Sequence, residues 1–296
     1  MRFAQPRVAS RRPAAIAFAF AIVAAGVLTA CTFKTPSGMA DDNPGGDDDD
    51  DGSGGDDAPT QVGCHNDRDK AVLCVDFEDA PLTTTAVDHS LGGPNNVALT
   101  DVMGTDHSGQ QAALLDASST LVVAESPSLD FTNNWTLELY VYADPLPTSG
   151  GALLGGPLPP PPPPPVYWMF NNNNQYGMEL RQDGTVRCVI DTKTVDSMQR
   201  VVERAWTHVA CVYDGGKLHV FVDGIASECI TSGAAPTDGV DGSSIGGNID
   251  RDGNIKEKFI GALDNVALYA SALSSQRICE LAGHTSCPAT CDTVPF

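Results

Sequence analysis

Residues Trp206 to Cys229 constrain the fold more tightly than any other stretch, because they specify three strands and both turns between them. Thr207–Tyr213 and Lys217–Val222 flank Gly215-Gly216, and Asp223-Gly224 then leads into Ile225–Cys229. Gly-Gly and Asp-Gly are favoured two-residue hairpin turns, since their left-handed backbone matches the twist of the strands they join. Setting the turns sets the register. One face then reads Val209, Cys211, Tyr213, Leu218, Val220, Val222, Ile225 and Cys229. The other reads His208, Ala210, Val212, His219, Phe221, Ala226 and Glu228. The first face is nearly all apolar, so it is expected to point into a core.

A second hairpin lies upstream, where Tyr176–Arg181 and Thr185–Ile190 flank Asp183-Gly184. Its Val186, Cys188 and Ile190 share one face, which leads to the expectation that Cys188 meets Cys211 across neighbouring strands as a disulfide. From Cys64 onward the chain keeps this habit of short apolar runs broken by Gly, Asn, Asp and Pro, with no long helical period. That is the pattern of an all-β domain.

The N-terminal part has a different character. Residues 1–13 are basic without an acid, residues 14–30 are apolar and uncharged, and Cys31 follows directly. A basic region, an apolar run and small residues at the cut make a secretory signal. Leu28-Thr29-Ala30-Cys31 resembles the bacterial lipobox, which implies cleavage before Cys31 and a lipid on its thiol. Several acyl chains, at about 0.8 kcal/mol per buried methylene, hold a protein at a membrane far better than one. Thr32 stands where an Asp would favour inner-membrane retention, so the expected location is the outer membrane of a Gram-negative bacterium. Thr32 to Pro59 is rich in Gly, Pro, Ser and Asp, with Asp41, Asp42, Asp47 to Asp51, Asp56 and Asp57. So little apolar surface cannot offset the entropy of ordering. The expected organisation is a signal peptide at 1–30, a disordered acidic tether at 31–60 and one domain at 61–296.

Charge and cysteines agree with export. There are 17 Lys and Arg against 38 Asp and Glu, and Arg2, Arg7, Arg11 and Arg12 belong to the leader. An acidic excess of this size argues against nucleic acid and against a polybasic membrane patch. Of nine cysteines, an even set remains once Cys31 carries lipid. An even set in an exported chain reads as disulfides, although ~105 connectivities are open to it. Cys287 and Cys291 lack a second pair at zinc spacing.

The meander, continuous from Trp206-Thr207-His208-Val209 to Val222-Asp223-Gly224, resembles the bacterial laminin-G-like, concanavalin A-type jelly roll. Other pieces match in order: Ser128-Leu129-Asp130-Phe131, Trp135 to Val141, Ser244-Ile245-Gly246-Gly247, Gly261 to Tyr269, and Ala272-Leu273-Ser274. The resemblance covers roughly 74–282. It implies a two-sheet antiparallel sandwich closed by a short C-terminal helix. Arg277 replaces the family's acid in that helix, so Ser274 forms no capping box. Pro159–Pro165 followed by Asn171–Asn174 is read as an insertion loop, 159–174, in place of a short hairpin; seven prolines favour a rod of about 20 Å.

Glycosidases of this fold flank the scissile bond with two carboxylates, whereas Glu138 stands alone among apolar residues. No nucleophile elbow or phosphate-binding loop is present, and His208 matches a structural position. The resemblance implies calcium as a structural cofactor, with Glu78 and Asp264 as ligands and Asp88 nearby. Asp250, Asp252 and Asn254 begin like an EF-hand loop but have Ile255 where Gly is required. Trp135 and Trp206 fall at family core positions, which leaves Trp168, beside the prolines, as the expected sugar contact. The expected protein is a non-catalytic binding protein, anchored to the lipid membrane through Cys31, whose partner is a glycan or an envelope or matrix protein. A divergent polysaccharide hydrolase or lyase is the alternative, and a structural envelope protein the third reading.

Overall fold

The computed structural model describes Cys64 and, between Lys70 and Ser286, every residue except 80, 92–94, 145, 147–166, 174, 232–241 and 251. The expected signal peptide (1–30), Cys31, the expected acidic tether and the Pro159–Pro165 run therefore lie outside the described residues.

Strands β1 (Ala71–Val75), β2 (Thr85–Ala86), β3 (Val97–Thr100), β4 (Met103–His107), β5 (Gln110–Leu115) and β6 (Thr120–Val123) come first. They are followed by β7 (Trp135–Ala143), β8 (Tyr167–Asn172), β9 (Tyr176–Leu180), β10 (Thr185–Ile190), β11 (Lys193–Arg200) and β12 (Trp206–Tyr213). The chain continues through β13 (Lys217–Val222), β14 (Ile225–Thr231), β15 (Ser243–Ile245), β16 (Asn248–Ile249), β17 (Ile255–Lys256), β18 (Gly261–Tyr269) and helix α1 (Ser275–Leu281).

Two antiparallel sheets form the sandwich. Sheet A runs β14-β13-β12-β7-β18-β5-β4, and sheet B runs β11-β10-β9-β8-β15-β6-β3-β2. Strand β18 has two neighbours on one side, β5 along Gly261–Leu263 and β1 along 266–269. The alternation of each strand sends one set of side chains between the sheets. Trp135, Leu137, Leu139 and Val141 of β7 and Val209 and Cys211 of β12 meet Met178, Val186, Cys188 and Ile190 of sheet B in one buried core. Burying apolar surface at about 25 cal/mol per Å² is what holds the sheets together.

The meander pairs in the expected register, Val209 with Val222 and Tyr213 with Leu218. Its third strand departs from expectation. One extra residue in β14 lets His219 face Cys229 and Phe221 face Ala226, a bulge that flips the alternation. Ile230, not Cys229, packs onto the core, and Ile225 is exposed. Cys229 is a half-buried free thiol, so the expectation that every cysteine after Cys31 is paired fails at this position. Cys64 bonds Cys74, and Cys188 bonds Cys211. The second bond joins β10 in sheet B to β12 in sheet A, across the sandwich and not between neighbouring strands.

Two further expectations change. The outward face of the meander is covered, because Ile278 of α1 packs on Ala210, Val212 and Phe221. Ser274 caps α1 by accepting from the Arg277 N–H, without a reciprocal acid. Asn171 and Asn172, read from sequence as part of the insertion, belong to β8.

Candidate functional site

The outer face of sheet B is built from the residues between those that enter the core. Cross-strand pairing lines them up in rows. One row is Trp168, Glu179, Arg187 and Asp196, on β8, β9, β10 and β11. The next is Ser244, Asn171, Gly177 and Val189. A third, at the β9–β10 turn, places Arg181 beside Thr185.

The first row alternates charge. Arg187 grips Asp196 in a fork, donating from Nε at 2.5 Å and from Nη2 at 2.8 Å. That pair holds the Asp196 carboxyl below the usual range, with the Arg187 hydrogen bond as the main cause. Glu179 sits beside them, 8 % exposed, with an Arg181 nitrogen 4.0 Å from its Oε2. Burial pushes its carboxyl up to about 7, against the pull of Arg187 and Arg181. Gly177 leaves room for the Trp168 ring: a Cβ there would stand 2.6 Å from Trp168 Cζ3.

Buried polar atoms are nearly always hydrogen-bonded, so exceptions point to strain, function or a missing partner. Among the described residues, Trp135, Gln175 and His208 each have one such atom, and the other four atoms belong to this surface. Both amide atoms of Asn171, which is fully buried, lack a partner, as do Glu179 Oε2 and Gln182 Nε2. Gln182 also lines an open cavity of about 440 Å³ with Arg181, Asp183, Thr185 and Asp196. Ligand pockets of folded proteins span about 300–1,000 Å³. The arrangement offers donors and acceptors to a polar ligand; it has no nucleophile–base pair.

The residues singled out from sequence behave differently. Trp168 is 5 % exposed and donates from Nε1 to Glu257 Oε2 at 3.0 Å, so its ring is not presented to a sugar. Trp206, expected in the core, is half-buried on the outer face of sheet A, where it stacks on His107 at 4.1 Å. Trp135 is fully buried as expected. Asp88 accepts from the backbone N–H groups of Cys74, Ser90 and Asn95 and from the Ser90 hydroxyl. Asp264, fully buried, lies with Oδ2 2.6 Å from His107 Nδ1 and accepts from Asn265 N and Nδ2. Burial raises its carboxyl to about 6 even though the His107 hydrogen bond pulls the other way. Glu78 Oε1 accepts from the Gln111 N–H. Calcium wants six to eight oxygen ligands, and the oxygens of Asp88 and Asp264 already serve protein donors, so this trio does not fit the ion. The group that converges nearby is Asp76, Asp79 and His89, with one ligand atom from each within 4.8 Å of the others.

Asp250 accepts from the N–H groups of Asp252 and Asn254 and pairs with Lys256 at 2.7 Å, a turn held by its own residues. Glu138 is not alone. Its oxygens receive the Tyr269 hydroxyl at 2.8 Å and lie 3.1 Å from His208 Nε2, all three buried.

Sequence reading passed over Asn171, Glu179, Gln182 and Arg187. Glu179 announces itself only as the polar step between Met178 and Leu180, the same signal that a solvated strand face gives.

Comparison with known proteins agrees with this fold. No curated protein is detectably similar in sequence. Among solved structures, domain 4 of AbnA, a GH43 extracellular arabinanase from Geobacillus stearothermophilus in complex with arabinotriose, superposes with a TM-score of 0.53. Its identity is 18%, with 72% of this chain and 98% of that one covered. The binding domain of Paraclostridial Mosquitocidal Protein 1 gives 0.53 at 17% identity, and that of Botulinum neurotoxin DC with rat synaptotagmin II gives 0.51 at 10%. In both toxin cases 73% of this chain matches 52% of the other, so the chain spans about half of those domains. At these identities the likeness concerns the fold. The family model of the concanavalin A-like lectin/glucanases superfamily matches residues 116–279, more than half of the chain, and the protein belongs to that superfamily.

Proposed function

We propose that this is a non-catalytic binding protein, lipid-anchored through Cys31 on the outside of a Gram-negative outer membrane, whose sandwich recognises glycan on the outer face of sheet B. The observation that carries the reading is the open cavity of about 440 Å³ on that face, whose wall offers the donors and acceptors of Arg181, Gln182, Asp183, Thr185 and Asp196. Sugar hydroxyls, each donor and acceptor at once, suit it well. The complex of AbnA domain 4 with arabinotriose supports the reading, since a domain of this fold holds a sugar.

Non-catalysis rests on the buried carboxylates. Glu138 is engaged by Tyr269 and His208, and Asp264 by His107 and Asn265. Retaining and inverting glycosidases need two carboxyls facing one bond across about 5–9.5 Å. A protein of the envelope or matrix is the second reading. It is favoured by Met103, Val202 and Ile260, which are exposed apolar residues, and by the synaptotagmin complex of the toxin domain.

A glycan array probed with the full chain tests the first reading, with polysaccharide turnover assayed in parallel. Binding without turnover is expected. A blank array with a captured envelope protein would favour the second reading, and turnover would overturn non-catalysis.

A further inference from the structure

We propose that the cavity at the β9–β10 turn is the specificity pocket of this face, and that it selects a neutral sugar unit, gripped edge-on through adjacent hydroxyls, over an anionic one. This rests on the reading of the face as a glycan site.

The charges on and beside the pocket wall already stand in pairs. Arg187 is forked on Asp196, Arg200 lies 4.0 Å from Asp183, and Arg181 lies 4.0 Å from Glu179. A carboxylate or phosphate entering the pocket competes with those carboxylates for the guanidinium groups, and it meets Asp183 and Asp196 on the wall. Like charges brought together in a partly desolvated site are costly. A hydroxyl pair avoids that conflict. It donates to one group and accepts from another without breaking any internal pair.

Two buried atoms, one on the pocket wall and one beside it, lack a hydrogen bond and are complementary to such a ligand. Gln182 Nε2, in the turn that lines the cavity, has only hydrogens to donate. Glu179 Oε2, two residues before Arg181 on the same strand face, is buried and without a hydrogen-bond partner. A site built to hydrogen-bond hydroxyls rejects ligands lacking them, because its own groups are then left unpaired. The edge-on geometry follows from Trp168. Its ring covers Gly177 and its N–H is held by Glu257, so no aromatic plate is offered to the face of a sugar.

The test uses the full chain in detergent micelles, titrated calorimetrically with xylotriose and maltotriose as neutral probes and with trigalacturonate as the anionic one. At least one neutral probe is expected to bind, and trigalacturonate to bind at least tenfold more weakly. Gln182→Ala and the isosteric Glu179→Gln are each expected to weaken neutral binding at least fivefold with no fall in melting temperature. Trp168→Phe and Arg204→Ala are expected to leave it unchanged; Arg204 pairs with Asp144, and neither lines the pocket. Tighter binding of trigalacturonate, or neutral binding indifferent to both pocket variants, would overturn the pocket assignment while leaving glycan binding intact. A loss on Trp168→Phe alone would overturn the edge-on mode. No binding of any probe, with a blank glycan array, would overturn the underlying reading as well.

Discussion

Cys188 on β10 and Cys211 on β12 are bonded through the middle of the sandwich, so that sheet B is tied covalently to sheet A. The link closes a loop with a sequence separation of 23. Closing a loop of that length removes denatured-state entropy worth about 3 kcal/mol. Replacing both cysteines by Ala should therefore lower the free energy of unfolding by about that amount in urea titration. A double variant as stable as the parent would show that packing alone holds the sheets in place.

Asp88 predicts a structural role that does not depend on a metal. It accepts from three backbone N–H groups and one hydroxyl, and so joins β1 to the segment that leads into β3. Asp88→Ala strands those buried donors and should cost about 3 kcal/mol. The fall in Tm should be the same in calcium as in chelator. A fall seen only in calcium would restore Asp88 as a ligand.

Glu179 predicts a pH dependence with a definite sign. Its carboxyl is raised from 4.5 in the unfolded chain to about 7 in the folded protein, chiefly by burial. Between those values the folded state binds more protons, so stability falls as pH rises. The contribution is fully present below pH 4.5 and lost as pH passes through about 7. The groups around it are Arg187, Arg181, Glu257 and Asp196, of which the two arginines lower the value and the acids raise it. Glu179→Gln should flatten this segment of the stability profile and raise stability at pH 8 by up to about 3 kcal/mol. An unchanged slope between pH 5 and 8 would mean that solvent reaches the carboxylate.

Cys31 carries the anchoring proposal. Cys31→Ala should abolish incorporation of labelled fatty acid and move the protein out of the membrane fraction. Label persisting on that variant would place the lipid elsewhere.

Much of the sandwich was legible in the sequence because it depends on local rules. Gly215-Gly216 and Asp223-Gly224 set two turns, and the turns set which side chains share a face, down to the pairing of Val209 with Val222. The inner faces of β10, β12 and β13 could be read from alternation alone. Composition likewise sets residues 1–60 apart from the rest of the chain.

What alternation could not supply is what lies across each face. His208, Ala210, Val212 and Phe221 look like a solvent side until α1, distant in sequence, comes to rest on three of them and Glu138 meets His208. Trp168 looks like a sugar contact until Glu257 takes its N–H. The bulge that removed Cys229 from the core is a one-residue difference between two strands, invisible in either strand alone. Asn171 and Glu179 read as ordinary polar positions, and only the assembled sheet buries them without partners. The sequence by itself determined the meander and the β9–β10 hairpin, their turns and the inward faces of β10, β12 and β13, because these follow from neighbours along the chain. The tertiary structure decided which outward faces are covered and which polar atoms lack partners, because those depend on segments brought together from far apart.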